Sequence, residues 1–339
     1  MTAVEIRELD PAHRAEDLAA ALPVARAVLA QQMPGFPELP ASMLRLWCLP
    51  DWQAHTSVFA AFDSPGAATA DGLVIAEWED DANEDLLVAS VWVAPHARGR
   101  GVGSALWADV LRLGSTLGRR RVTTNTSAAL PVDTLVTAKG GRQVEKATRS
   151  VLDLTAVPPV QLNAAARATP KNSRYELVRW TDRCPDRLAE SFCAAMEAMN
   201  DAPQGEMVYE HVAHDLARLR GREELSVRAG VRRHVLAAVT ESGQVGGFSI
   251  FVSTPDGPRS LDIWDTGVSR EHRGQGLGLR IKAAQTLWML DEFPAADWVQ
   301  TFNNAENQHM LTINRALGYR PAEQWSWYEF DNSARPATS

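Results

Sequence analysis

Hydrophobic and polar positions run through the same succession of patterns twice along the chain. Alternating apolar residues at 4–9 and 175–180 predict an opening strand in each half. Helical spacing, an interruption and a second helix follow each opening strand, and apolar runs typical of buried strands come next. The other predicted segments are helices at 12–32, 41–49, 104–113, 186–199, 210–219 and 279–290, a last helix that ends at 317, and strands at 57–62, 72–78, 86–93, 234–239, 245–252, 261–268, 298–303 and 324–330.

The stretch Val268–Gly278 joins a predicted strand to a predicted helix through a glycine-rich turn. Gly274, Gly276 and Gly278 can take positive φ and let a ligand approach the backbone closely. Backbone N–H groups that converge at such a turn bind anions, the helix dipole favours them, and Arg273 adds a positive charge. Neither Gly-Lys-Ser/Thr nor Gly-x-Gly-x-x-Gly is present, so the common nucleotide-binding loops are not supported. The stretch predicts a pyrophosphate cradle of another kind.

The same turn occurs 175 residues earlier, after the strand predicted at 86–93. Its residues are Arg98, Gly99, Gly101 and Gly103. Downstream, Thr301-Phe-Asn303 matches Thr123-Thr-Asn125 at an offset of 178. Two loops in register predict an internal duplication and therefore two domains of similar structure.

The spacing Arg-x-x-Gly-x-Gly after a strand resembles the acetyl-CoA loop of the GNAT acyltransferases. Because the loop recurs, nearly the whole chain is similar to tandem GNAT proteins, a group that includes mycothiol synthase-like proteins. The resemblance implies an α+β fold in which each domain is a splayed mixed sheet covered by helices. It also implies that acetyl-CoA enters between two strands as the acyl donor, and that no metal is needed.

The predicted domain boundaries follow from the repeat and from composition. Residues 155–170 lack periodicity and carry three prolines, which is typical of a linker. We therefore expect an N-terminal GNAT domain at 1–154, a linker at 155–173, a C-terminal GNAT domain at 174–330 and a disordered tail at 331–339.

Composition excludes several other classes of protein. A net charge of −8 and a pI near 5.5 argue against a general nucleic-acid binder. Cys48, Cys184 and Cys193 show no Cys-x-x-Cys spacing, so we expect buried thiols. With no leader pattern and no apolar run of 18 residues, the sequence predicts a soluble, cytoplasmic protein that does not bind membranes.

The family resemblance assigns the arm of CoA to the segment after the last glycine-rich loop. Asn307 stands where a family asparagine contacts the CoA arm, and Asn303 stands at the strand edge facing the pantetheine. A helix cap or turn is the alternative role for each asparagine. At the matching position of Asn307 the first half has Ala129, so the first half is expected to keep its cradle and lose part of the arm contacts.

Acetyl transfer to an amine requires a base and a donor for the developing oxyanion. Asp265, on the strand before the second cradle, is the candidate base, and the backbone N–H of Val268 is the candidate oxyanion donor. A structural carboxylate is the alternative role for Asp265. Because Leu87 and Ser90 replace Asp262 and Asp265 in the first half, the C-terminal half is the predicted catalytic one.

Asn314 occupies the catalytic position where many family members carry a tyrosine that protonates the leaving thiolate. An amide cannot act as an acid. Tyr319 and Tyr209 are the possible substitutes, although neither has the matching spacing, and water is the remaining proton donor.

The acceptor is expected to bind where the first two helices of the C-terminal half connect. Glu197, Asp201 and Glu206 could hold a cationic amine there, and a solvated polar loop is the alternative. These residues and the family resemblance predict a CoA-dependent N-acetyltransferase that acts on a small amine or amino sugar. The alternative is a non-catalytic acyl-CoA-binding or regulatory protein.

Overall fold

The computed structural model describes residues 4–50, 54–130, 132–203 and 205–333, which fold into two compact units. Unit 1 comprises the described residues up to Lys146, the segment Gly205–Glu210 and the residues from Glu323 onward. Unit 2 comprises Ala147–Pro203 and His211–Ala322.

The helices and strands alternate in the same order in the two halves of the sequence. The elements of the first half are β1 (Glu5–Leu9), α1 (Ala15–Gln32), α2 (Ala41–Trp47), β2 (Ala54–Phe62), β3 (Gly72–Glu79), β4 (Leu86–Val93), α3 (Val102–Thr116), β5 (Arg121–Ser127), α4 (Asp133–Ala138) and β6 (Arg142–Asp153). Those of the second half are α5 (Pro159–Ala166), β7 (Tyr175–Thr181), α6 (Asp186–Met196), α7 (Leu216–Ala229), β8 (Arg232–Thr240), β9 (Val245–Ser253), β10 (Ser260–Val268), α8 (Leu277–Glu292), β11 (Trp298–Asn304), α9 (Gln308–Ala316) and β12 (Arg320–Asp331).

The sheet of unit 1 has the strand order β1-β2-β3-β4-β5-β12. All neighbouring strands are antiparallel except β4 and β5, which are parallel. Helix α3 covers the sheet with Leu106 and Val110, both fully buried. Gly72 of β3 permits this contact, because a Cβ there would lie 2.7 Å from the Leu106 side chain.

The sheet of unit 2 repeats this arrangement with the order β6-β11-β10-β9-β8-β7. Here β10 and β11 form the parallel pair, and the other neighbours are antiparallel. Helix α8 is buried along most of its length, and its Ile281 and Trp288 pack in one core with Leu152 of β6 and Val299 of β11. The predicted mixed sheets and covering helices are confirmed.

Each unit includes a strand that the duplication does not predict. Residues Trp325–Asp331 of β12, near the end of the chain, pair with Arg121–Ser127 of β5 in unit 1. Residues Ala147–Asp153 of β6, from the first half, pair with Trp298–Asn304 of β11 in unit 2. Each unit therefore includes a strand from the other half of the sequence. Residues 323–330 fall in unit 1, although the repeat groups them with the C-terminal domain.

The predicted tail is ordered at its start. Asp331 is the last residue of β12, and Asn332 is buried. The Asn332 side chain donates to the carbonyl oxygens of Leu111 and Arg119, each at 3.2 Å. The prediction of disorder is therefore wrong for 331–333, and residues 334–339 lie outside the described part of the chain.

The predicted linker and one predicted helix also differ from the structure. Residues 155–173 contain α5, whose Leu162 is buried in the core of unit 2. Its prolines stand at the helix start, where a missing N–H costs nothing. The helix predicted at 210–219 begins only at Leu216, because Asp215 caps it by accepting from the Arg218 N–H at 2.7 Å.

Candidate active site

Each unit carries one glycine-rich cradle between a strand end and a helix start. In unit 1 a short 3-10 turn follows β4, and Gly99 and Gly101 have φ of +74° and +90° before α3 begins. In unit 2 the same turn follows β10, and Gly274 and Gly276 both have φ of +75° before α8 begins. Side chains other than glycine are strained at such φ values. No side chain caps either helix start, so the first N–H groups of α3 and α8 remain available to an anion.

The parallel strands beside each cradle separate before they end. The β4–β5 pairing covers Leu86–Val88 and Arg121–Thr123, although both strands continue beyond it. The β10–β11 pairing stops at Ile263 and Thr301 in the same way. Backbone groups on the facing edges beyond these points lack a strand partner and can bind an extended ligand.

The separation leaves the last N–H of β4 and of β10 facing a gap. Ser269 N–H donates to Gly246 O at 3.0 Å, on the side of β9. Successive N–H groups of a strand point to opposite sides, so the Val268 N–H points toward the gap between β10 and β11. Ala94 N–H donates to Asp71 O at 2.9 Å, and by the same argument the Val93 N–H points into the gap of unit 1.

Unit 1 contains an open cleft of about 670 Å³ that joins its cradle to this gap. Arg98, Gly99, Gly101 and Gly103 line its cradle end. The wall between α3 and α4 is apolar, and the rings of Trp107 and Phe330 lie 4.5 Å apart there. The remaining lining residues are Val28, Gln32, Val91, Val93, Ser104, Thr124, Asn125, Thr126, Leu130, Val132, Leu135, Val136 and Lys139.

In unit 2 the start of α8 packs closely against α9. Gly278 lies so close to α9 that a Cβ on it would approach the Ile313 side chain to 3.1 Å. Asn314 is buried and donates through Nδ2 to Asn303 Oδ1 at 2.7 Å. Asn307 caps α9, accepting from the Met310 N–H at 3.2 Å. All three asparagines thus hold α9 in place, and for Asn303 and Asn307 a structural role is the alternative that the sequence left open.

The two cradle arginines have matching backbone contacts and different side-chain contacts. Arg98 Nε donates to Val93 O at 3.2 Å, and Arg273 Nε donates to Val268 O at 3.1 Å. Arg98 Nη1 also donates to the neutral Gln31 Oε1 at 2.7 Å. Arg273 Nη2 instead donates to a carboxylate oxygen of Asp201, also at 2.7 Å.

Asp201 binds two arginines of the unit 2 cradle. Its other oxygen accepts from Arg270 Nη2 at 2.8 Å. Hydrogen bonds from Arg273 and Arg270 hold the pKa of this carboxyl below its usual range. Both oxygens thus bind guanidinium groups, and the role in binding a cationic amine stays a prediction.

The other acidic residues predicted for the acceptor site lie in different places. Glu206 belongs to unit 1, where it pairs with Arg142 at 2.5 Å. Glu197 stays in unit 2 and accepts from the His214 N–H at 2.8 Å, while its second oxygen lies 2.7 Å from His211 Nε2. Glu197 therefore holds the loop that leads to α7.

Asp265 lies in an irregular part of β10. The pairing of β10 with β9 shifts by one residue between Ile263 and Thr266, which is a bulge. Burial lowers the pKa of the nearby His214, with Arg222 acting in the same direction and Glu197 and Asp265 opposing it. Asp265 thus acts electrostatically on an imidazole from an irregular part of its strand, whereas β3 and β4 of unit 1 keep one register.

Neither substitute tyrosine lines the cleft described for unit 1. Tyr319 is 2% exposed, and burial raises the pKa of its hydroxyl. Tyr209 belongs to unit 1, and burial raises its pKa to about 12. Among the described residues we find no group of three metal-ligating side chains.

Residues 27–130 match the acetyltransferase (GNAT) family, and this segment includes the cradle and most of the cleft of unit 1. The chain therefore carries a GNAT acetyltransferase domain at these residues. A search of curated proteins finds no match.

Solved structures share the fold of nearly the whole chain. A tandem GNAT protein from the clavulanic acid biosynthesis pathway is 23% identical with a TM-score of 0.80, covering 98% of this chain and 100% of its own. A GCN5-related N-acetyltransferase from Sphaerobacter thermophilus is 17% identical with a TM-score of 0.65, covering 99% and 97%. Saccharomyces cerevisiae N-myristoyltransferase with bound myristoyl-CoA is 9% identical with a TM-score of 0.65, covering 97% and 83%.

The sequence analysis did not find two residues of the unit 1 site. Gln31 and Phe330 reach the site of unit 1 from α1 and β12, and no motif marks either residue. At the offset of 175 that relates the cradles, Lys282 of unit 2 matches Trp107, which lines the cleft of unit 1. The repeat therefore could have shown that this cleft residue differs between the halves.

Within the described residues, no helix has the length and apolar character needed to cross a membrane.

Proposed function

We propose that the protein transfers an acetyl or related acyl group from acyl-CoA to a primary amine of a small molecule, and that the cleft of unit 1 holds the acyl-CoA. The observation that carries the proposal is the open cleft that runs from the cradle to the separated strands. It supports unit 1 as the donor site, whereas the sequence favoured the C-terminal half.

The residues of unit 1 have separate tasks along this cleft. Gly99, Gly101 and the start of α3 bind the pyrophosphate through backbone N–H groups, and Arg98 adds charge. The free edges of β4 and β5 hydrogen-bond the pantetheine arm. The Val93 N–H then lies on the side from which it can stabilise the oxyanion of the thioester carbonyl.

The acceptor amine must lose a proton during attack. The side chains that line the described cleft include no carboxylate. Water in the open cleft is therefore the proton acceptor in unit 1, and the leaving thiolate takes its proton from the same source.

Paired glycine substitutions test which cradle holds the donor. Gly101→Glu places a charged side chain at φ +90° and should lower acetyl-CoA affinity and amine acetylation by more than about tenfold. Gly276→Glu makes the same change at φ +75° in unit 2 and should leave both unchanged. Titration calorimetry measures binding, and thiol release over a panel of primary amines measures transfer.

The opposite result would contradict the assignment to unit 1. Wild-type binding in Gly101→Glu, with loss in Gly276→Glu, would move the donor to unit 2. Tight CoA binding without transfer to any amine would favour the non-catalytic alternative.

A second candidate places the chemistry in unit 2, and the electrostatic influence of Asp265 on the imidazole of His214 favours it. Carboxylate–imidazole pairs are common general bases, and the Val268 N–H faces the gap of this unit. Asp265→Asn would then lower kcat with little effect on acetyl-CoA affinity. Unchanged kcat in this variant would exclude Asp265 as the base.

A further inference from the structure

The charge of one side chain differs between the two otherwise matching cradles. Arg98 and Arg273 are held by the same backbone contact, five residues back along the chain. A second guanidinium nitrogen of each arginine donates to another side chain. In unit 1 the acceptor is the neutral amide of Gln31, and in unit 2 it is the carboxylate of Asp201. Both side chains come from the helical segment that follows the opening strand of their half.

The carboxylate of Asp201 already pairs with the two arginines of its cradle, as a bound anion would. It accepts one hydrogen bond from Arg273 and one from Arg270, at 2.7 and 2.8 Å. Charge-assisted pairs of this length are the strong class of hydrogen bond. A pyrophosphate that approached Arg273 would have to displace the carboxylate and would then lie beside a like charge.

The acidic group near the cradle of unit 1 does not act in this way. Asp71 lies 2.9 Å from His96 Nε2 and 3.7 Å from Arg100 Nη1, and its side chain is 10% exposed. Neither contact involves Arg98. Displacing Gln31 from Arg98 costs one hydrogen bond to a neutral group and leaves no charge behind.

We propose that Asp201 and Gln31 determine which cradle accepts the pyrophosphate of acyl-CoA. Asp201 keeps the cradle of unit 2 closed to phosphates, and Gln31 leaves the cradle of unit 1 open. The inference rests on the proposed function, in which unit 1 holds the donor.

Isosteric substitutions test this in a protein whose unit 1 cradle is blocked. In Gly101→Glu, calorimetric titration with CoA should show no site. Adding Asp201→Asn removes the negative charge and keeps the shape of the side chain. One site should then appear, with an affinity at least about tenfold above the weakest that the titration of the parent would have detected. Adding Gly276→Glu to that double variant should abolish the site again.

The reciprocal change and a matched control complete the experiment. Gln31→Glu in the wild-type chain should weaken CoA binding about tenfold, since it places a carboxylate on Arg98. Glu206→Gln neutralises a carboxylate that pairs with Arg142 instead, and it should change nothing. Thermal unfolding of each variant verifies that it is folded.

The outcomes separate this inference from the proposed function. If Gly101→Glu abolishes binding and Asp201→Asn restores none, unit 1 holds the donor and only the role of Asp201 is overturned. If Gly101→Glu binds CoA like the wild type, unit 2 accepts the donor despite Asp201, and both proposals fail.

Discussion

Lys282 places an ammonium group in the interior of unit 2. The residue is fully buried, its Nζ makes no hydrogen bond, and this atom lies 5.0 Å from the centre of the Tyr319 ring. Burial lowers the pKa of this amine from 10.5 to about 7. The folded state therefore binds the proton less tightly than the unfolded state does, which makes the charge a cost to folding.

We expect Lys282→Met to stabilise the protein. The penalty of the buried charge is full below pH 7, where both states are protonated, and it shrinks as the pH rises from 7 to 10.5 and the folded amine becomes neutral. The gain in free energy of unfolding should be about 1–3 kcal/mol at pH 7 and should approach zero near pH 10.5. Urea unfolding at several pH values measures it.

A second substitution distinguishes the charge from packing. Lys282→Gln keeps a polar group without the charge and should recover part of the gain with the same pH trend. Destabilisation by Lys282→Met at pH 7 would show that the ammonium has a partner, such as a buried water, that compensates its burial.

The sequence predicts individual residues well where the backbone itself imposes the choice. Gly101 and Gly276 could be recognised because their φ values exclude other residues. The partners of Arg98 and Arg273 could not, since Gln31 and Asp201 come from elsewhere in the chain, and only packing brings them there.

Helix α9 is joined to β11 by a single amide pair. Asn314 Nδ2 donates to Asn303 Oδ1, and the matching position of Asn314 in the first half is Val136. A structural role predicts that removing either partner destabilises unit 2, because the other amide is left without its hydrogen bond.

A double-mutant cycle on this pair separates structure from catalysis. Asn314→Ala and Asn303→Ala should each lower the free energy of unfolding by about 1–2 kcal/mol, with a coupling energy of about 1 kcal/mol. Chemical denaturation measures all four proteins. Zero coupling, together with a lower kcat in Asn314→Ala, would instead assign Asn314 a part in the chemistry.

Secondary structure was predictable where periodicity was long and failed where short segments depend on their neighbours. The strands up to β4 and the helices that follow both cradles are close to their predicted positions. Helix α5 was missed because its burial depends mainly on Leu162, too short a pattern to recognise. The start of α7 moved because Asp215, rather than the apolar spacing, determines it.

The exchange of strands makes unit 1 depend on the end of the chain. Without β12, the edge of β5 loses its partner, and the buried side chains of Tyr328 and Phe330 are removed. A protein that stops after residue 322 should therefore lose unit 1, while unit 2 keeps all its strands.

Hydrogen exchange resolves the two units in such a truncated protein. We expect amides of β4 and β5 to exchange at the rate of an unfolded chain and those of β9 and β10 to remain protected. A chain that stops after residue 333 is the control and should protect both. Protection of β5 in the shorter chain would show that unit 1 folds without β12.

At the scale of the molecule, the repeat predicted the fold but not the assignment of chain to unit. Two loops in register were enough to indicate two GNAT halves. The duplication implied halves that are continuous in sequence, whereas strand pairing placed residues 205–210 and those from Glu323 in unit 1. Pairings between strands so far apart in sequence leave no local pattern.

The position of β12 has a consequence for biosynthesis. A ribosome releases residues 4–146 long before it reaches Trp325, so unit 1 must wait for nearly the whole polypeptide with the edge of β5 uncovered. Unpaired edges of this kind recruit other strands and promote aggregation. The nascent N-terminal half is therefore the stage at which this protein depends most on chaperones, and slow translation of the last third of the message would prolong that dependence.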